Sequence, residues 1–168
     1  MSSLKNVWAS YQVTRDSTKI ARRAIEQKSP ELLVGTDFVA VTPEEASALI
    51  NAGRTDADDL FVLALWAVFE RELRDHLEAE GPKPLQDKGS LFHRLLADKI
   101  RQEMEYWRND DVLDLFKAIS DPALIGQAKQ IKQYRDWVAH KNPKHAPPAN
   151  VTPQKAYDVL AEIIESLP

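Results

Sequence analysis

The residues whose types and spacing could do chemistry stand in one block, Arg135-Asp136-Trp137-Val138-Ala139-His140. Asp136 and His140 are four apart, so on a helix they are neighbours. A carboxylate beside an imidazole at a helix C-terminus makes His140 a candidate proton donor or acceptor near neutral pH. The same pair also describes a surface histidine that stabilises a helix end. On a helical wheel Arg135 falls about 40° from Ile131, inside an apolar face that includes Leu124, Ala128, Tyr134 and Val138. An arginine there is costly unless its guanidinium is paired or aimed into a polar cavity or interface. Pairing with a carboxylate such as Glu70, or snorkelling past the core edge, would satisfy it without any function. Arg135 and His140 lie about 140° apart around an ideal helix, so one helix does not bring them to a point. Three arrangements remain open. The helix end distorts, the two groups address opposite sides of an extended substrate, or a second copy supplies the missing half across a two-fold axis.

The surroundings of this block are basic although the chain is acidic, with a net charge of −4. Between Lys129 and His145 stand Lys129, Lys132, Arg135, Lys141 and Lys144, against Asp136 alone. Local positive charge can attract phosphate without making the whole protein adhere to nucleic acid. As a charge cluster alone, a solvated helix face is the simpler account. Other chemistries find no support. There is no cysteine, which excludes disulfides, thiolate catalysis and cysteine-based zinc sites. His76, His93 and His145 are scattered, with no pair at metal-ligand spacing on one helix. Glu103 with Glu105, and Asp110 with Asp111, read as solvated charge. No glycine-rich phosphate loop and no nucleophile elbow occur. Neither a metal nor a cofactor is expected.

The elements that must position the block are helices. Ser29-Pro30, Thr42-Pro43, Asp121-Pro122 and Thr152-Pro153 each set a capping side chain before a proline suited to a first helical turn. Thr42 with Glu45 fits a capping box. The pattern predicts helices over 43–52 (ended by Gly53), 56–80 (ended by Gly81-Pro82), 88–108, 110–119, 122–140 and 153–166. The first 28 residues read as helix in two pieces, and Val34 to Val41 as a short extended segment. Leu60 to Phe69 is apolar on all sides and predicts a surrounded helix. Phe92, Leu96, Ile100, Met104 and Trp107 predict one apolar face for the helix that follows. The fold class expected is all-α, an antiparallel bundle of about five main helices with an N-terminal helical extension. At 168 residues the chain reads as a single domain, with 1–55 as the extension and 56–168 as the core. Met1 to Lys5 lacks the build of a signal peptide, and Leu60 to Phe69 is about half the length that spans a bilayer. The expectation is a cytoplasmic protein with no membrane contact.

The block Tyr134 to His140, set before a final amphipathic helix in an all-helical chain, resembles the signature of the HEPN superfamily. That signature is an arginine, a polar residue, three further residues and a histidine. The stretch Trp66-Ala67-Val68-Phe69-Glu70-Arg71 is similar to the family's central helix, and the resemblance covers about residues 56–167. It implies two protomers paired so that both motifs face one composite cleft, where RNA is cut without a metal. Carried over, Arg135 would stabilise the charge of a phosphorane-like transition state. His140 would act as general base or acid on the 2′-hydroxyl or the leaving oxygen. Asp136 would orient the histidine or contact RNA, and Lys132, Lys141 and Lys144 would bind RNA. Products would carry a 2′,3′-cyclic phosphate. The implied biology is a toxin, defence or stress-response ribonuclease restrained by an antitoxin or regulatory protein. Many members have glycine after the histidine where Lys141 stands here, and some lack activity. The alternatives are a non-catalytic helical module of the same fold that binds RNA or protein, and a structural bundle in which Arg135 makes a buried ion pair.

Overall fold

Three of the four expected capping side chains, Thr42, Asp121 and Thr152, start helices, whereas Ser29 makes no side-chain cap and Pro30 opens only a 3-10 turn, Pro30–Leu32. A computed structural model describes residues 3–86, 89–140 and 146–168. Thr42 accepts the Glu45 N–H at 3.3 Å while Glu45 accepts the Thr42 N–H at 2.9 Å, a closed capping box. Thr152 accepts the Lys155 N–H at 3.3 Å, and the Asp121 carboxylate accepts the Ala123 N–H at 2.8 Å. The helices are α1 (Ser3–Glu26), α2 (Pro43–Glu80), the single turn α3 (Lys83–Gln86), α4 (Leu91–Met104), α5 (Asn109–Phe116), α6 (Pro122–His140) and α7 (Pro153–Glu165). Among the described residues there is no strand.

Four expectations are corrected. The N-terminal region is one helix of 24 residues, not two pieces. Gly53 does not end a helix, because α2 runs through it for 38 residues. A lone interior glycine costs only about 1 kcal/mol, and burial of Ala46 and Ile50 before it and Phe61 and Val62 after it outweighs that. Position 55 therefore lies mid-helix. Residues 34–41 are not one extended segment: Thr36 and Val41 are extended, but Thr36 accepts the Phe38 N–H at 3.3 Å and starts a 3-10 turn over Asp37–Ala40 between them. Finally, α4 opens at Leu91, where Ser90 accepts the His93 N–H at 3.2 Å, and closes at Met104, shorter at both ends than expected.

Helix directions follow from side-chain contacts. Ser3 reaches Glu72 at 2.9 Å, Tyr11 reaches Asp58 at 2.6 Å and Arg22 reaches Asn51 at 2.5 Å, so α1 runs antiparallel to α2. Lys5 pairs with Glu165 at 3.4 Å and Trp8 stacks on Tyr157, so α7 runs antiparallel to α1. Ser166 Oγ lies 3.2 Å from Ser120 Oγ, just before α6, which makes α6 and α7 antiparallel. The C-terminal end of α6 and the first turn of α7 thus share one end of the bundle.

The core sits around α2. Leu65, Trp66, Phe69 and Leu73 meet Leu4 of α1, Phe116 of α5, Ile125 and Ile131 of α6, and Leu160 and Ile163 of α7, all buried. Each such side chain contributes about 1.5–3 kcal/mol by leaving water. Two apolar expectations are only partly met. Leu60 stays 62% exposed, because α1, α6 and α7 leave one strip of α2 uncovered. Phe92 of α4 is 69% exposed, because α4 packs mainly on α3 and touches α2 only lightly, through a face that buries Ala97 and Met104. No helix among the described residues is long and apolar enough to cross a membrane.

Candidate functional site

Arg135 is set by α6 against the middle of α2. Its neighbours Ile131 and Val138 are buried, so the arginine must leave the same crowded face by a polar route. It does so over an indole. The guanidinium carbon lies 5.5 Å from the Trp66 ring centroid, at cation–π range. One terminal nitrogen is 3.4 Å from Glu70 Oε2 and the other is 3.1 Å from Asp136 Oδ1. The Nε is buried and makes no hydrogen bond. The side chain keeps 25% of its surface exposed.

Glu70 is the hub of this arrangement. Its Oε2 also accepts the Trp66 indole N–H at 3.1 Å, and its Oε1 accepts Arg74 Nε at 3.3 Å. Arg74 then donates to the carbonyls of Met104 and Trp107 and to Asn109 Oδ1, at 2.9, 3.0 and 2.7 Å. It closes the α4–α5 corner, where the Met104 carbonyl also accepts the Trp107 N–H at 3.2 Å. Sequence reasoning named Glu70 as one way to satisfy Arg135. It missed Arg74 and the bracing role of Trp66, although Trp66, Glu70 and Arg74 sit at successive i,i+4 positions.

Asp136 does not serve His140 as expected. Its carboxylate is taken by Arg135 and by Lys132 at 3.3 Å, and no ion pair joins it to His140 among the described residues. Two full cations within reach outcompete an imidazole for one carboxylate. Lys132 also reaches Asp110 at 3.5 Å, so Asp110 is not merely solvated charge. His140 is exposed at the end of α6. Lys141 and Lys144, with His145, lie outside the described residues. The structure therefore brings Arg135, Asp136 and Lys132 together with Glu70, Arg74 and Asp110, and leaves His140 apart from them.

Beside Arg135, Tyr134 projects the other way along α2 and donates to Asp59 Oδ1 at 2.6 Å. Asp59 is buried, and burial, then this hydrogen bond, pushes the Tyr134 phenol well above its ordinary range. The Tyr11 phenol, on Asp58, is pushed up to about 12 by burial first and that hydrogen bond second. Both tyrosines act as fixed donors that hold α6 and α1 to α2. No group of three or more histidine or acidic side chains placed to hold a metal occurs among the described residues.

In chemical terms the site offers a guanidinium fixed in place and partly open to solvent, with an exposed imidazole further along the same helix. Such a guanidinium can stabilise an anion that forms beside it, without reorganising. A pocket of about 520 Å³ opens between α1, α2 and the first turn of α7, and none of Arg135, Asp136 or His140 lines it. Comparison with protein-family models, with curated proteins and with solved structures finds no match to this chain.

Proposed function

We propose that this chain is a metal-independent endoribonuclease of HEPN type that acts as a homodimer. The observation that carries the reading is the fixing of Arg135 by Trp66, Glu70 and Asp136 at the open edge of α6. The 2′-oxygen of RNA attacks the adjacent phosphorus, and the bond to the 5′-oxygen breaks. His140 takes the proton from the 2′-hydroxyl or delivers one to the leaving oxygen. Arg135 stabilises the charge on the non-bridging oxygens. The products are a 2′,3′-cyclic phosphate and a 5′-hydroxyl. Because Arg135 and His140 diverge on one helix, each site is completed by a second copy. Lys132, Lys141 and Lys144 bind the RNA backbone in this reading. A toxin, defence or stress-response role, with an antitoxin or regulatory partner, belongs to the same proposal and rests on the resemblance alone.

A second reading has its own observation. Both carboxylates beside Arg135 already neutralise it, as a non-catalytic module or a purely structural ion pair requires. Labelled RNA incubated with the protein in EDTA separates the two. Cleavage to cyclic-phosphate ends, lost in Arg135→Ala and His140→Ala with folding intact, is the expected result. RNA binding without cleavage, or a monomer at micromolar concentration, sinks the composite ribonuclease.

A further inference from the structure

We infer that the pocket between α1, α2 and the start of α7 is a binding site for a small phosphate monoester that carries a flat ring. Its volume of about 520 Å³ is that of a small-molecule site. Its walls carry five cations, Arg15, Lys19, Arg22, Arg23 and Arg54, against two carboxylates, Glu26 and Asp58. In a chain of net charge −4 this is a concentrated surplus of the opposite sign.

The surplus is cancelled only in part from outside the pocket, by Asp16, which pairs with Lys19 and forms a longer ion pair with Arg15. Lys19 is paired with Asp16 at 2.8 Å, and Arg54 lies 4.0 Å from Asp58. Arg22 donates to the neutral amide of Asn51 at 2.5 Å. Arg23 has no carboxylate partner among the described residues. The Nε of Arg15 is buried without a hydrogen bond, and the Asp16 oxygen nearest to it is 3.7 Å away, beyond hydrogen-bonding reach. A buried donor left unsatisfied, beside further uncompensated guanidiniums, is stabilised by an anion that accepts from several of them. The number of such cations favours a dianion over a single carboxylate. The first turn of α7 closes the same wall, and its helix dipole adds to the attraction.

The rest of the wall is aromatic. Trp8 and Tyr11 line the pocket, each held by a ring behind it. Trp8 stacks on Tyr157 at 4.8 Å and Tyr11 on Phe61 at 4.3 Å. A rigid aromatic wall beside guanidiniums suits a ligand with a planar apolar part and a phosphate. This site stands apart from the ribonuclease reading, because no residue of the Arg135 motif contributes to it.

Calorimetric titration of the full chain with phenyl phosphate, AMP, phenol, adenosine and inorganic phosphate tests it. Phenyl phosphate and AMP are expected to bind at least about tenfold tighter than inorganic phosphate or the phosphate-free compounds. Arg23→Gln is expected to weaken that binding by about tenfold, Arg15→Gln by as much or more, and Arg135→Ala not at all. Arg23 is exposed, so Arg23→Gln remains informative if Arg15→Gln disturbs folding, which circular dichroism reports. No binding at millimolar ligand overturns the proposal. So do equal affinity for inorganic phosphate, or binding unchanged in Arg23→Gln.

Discussion

Two clusters of arginine are held along α2, and they are built in opposite ways. Around Arg135, three cations (Arg74, Lys132 and Arg135) meet three carboxylates (Glu70, Asp110 and Asp136) in one chain of contacts. In the pocket of α1, α2 and α7, five cations meet three carboxylates, Glu26 and Asp58 in the wall and Asp16 beside it. The contrast separates two stretches that both look basic in the sequence. The α6 segment looks basic because its carboxylate partners are far away in the chain. Lys129 finds Asp114 at 2.8 Å, Lys132 finds Asp110 and Arg135 finds Glu70. Four of the pocket's five cations, Arg15, Lys19, Arg22 and Arg23, stand within one short stretch of α1 against Asp16 alone, a basic stretch legible in the sequence that the reading of the α6 block passed over. A local charge count thus misleads at α6, because neutralisation there happens largely across helices.

Mutations can break or sharpen this contrast. The largest effect is on the proposed activity: if the chain cleaves RNA as proposed, Arg135→Ala and His140→Ala should each lower cleavage by at least about 100-fold, measured as cyclic-phosphate product, while Arg23→Gln leaves it unchanged. If Arg23→Gln matters as much as Arg135→Ala, the two clusters serve one site and the distinction fails. Next is stability. Glu70→Gln leaves two partly buried guanidiniums with one carboxylate fewer, and should cost about 2 kcal/mol after allowance for its partial exposure. That is a fall of roughly 6 °C in Tm by thermal denaturation. Arg23→Gln, in the already unbalanced pocket, should leave Tm within about 1 °C.

The tyrosine anchors compare the two regions more finely. Tyr134→Phe takes a donor from buried Asp59 and should cost about 2 kcal/mol. Tyr11→Phe takes one from the more open Asp58 and should cost about 1 kcal/mol, both variants being measured by urea titration. The smallest effect is on alkaline stability. The folded protein holds the Tyr11 proton up to about pH 12, against 10.0 for the ordinary phenol. Above the ordinary value the unfolded chain binds fewer protons, so stability falls as pH rises. The contribution of Tyr11 is complete below pH 10 and is lost as pH rises through about 12. Tyr134 acts in the same direction. Phenolate absorbance should show these two tyrosines ionising last, and Tyr11→Phe should make the alkaline decline shallower. A decline unchanged in that variant would mean that Asp58 does not hold the phenol.

Much of the fold was legible because its signals are local. Proline with a capping side chain marks the starts of α2, α6 and α7, and helical spacing of apolar residues marks their buried faces. The failures are also physical. Gly53 reads as a stop only if the residues on either side have nothing to bury, and they bury Ile50 and Phe61. Phe92 reads as core by spacing, but spacing does not say whether another helix arrives to cover it. For the candidate site, the sequence located Arg135 on an apolar face and named Glu70 as a possible counter-charge. The competition of Lys132 and Arg135 for Asp136 also lies within one helix turn and could have been weighed. The role of Arg74 could not, since its carbonyl partners are defined by where α4 ends.

By itself the sequence determined that this chain is all-helical, that α6 runs from Pro122 to His140, and that Arg135 must find a polar outlet from an apolar face. Those are consequences of helical periodicity and of the cost of burying a charge, which need no knowledge of neighbours. Tertiary structure alone decided which charges are cancelled across helices. Coulomb interactions depend on distances between side chains, and the packing of α1, α5, α6 and α7 on α2 sets those distances. It pairs the α6 cations with distant carboxylates and leaves the arginines of α1 facing a cavity.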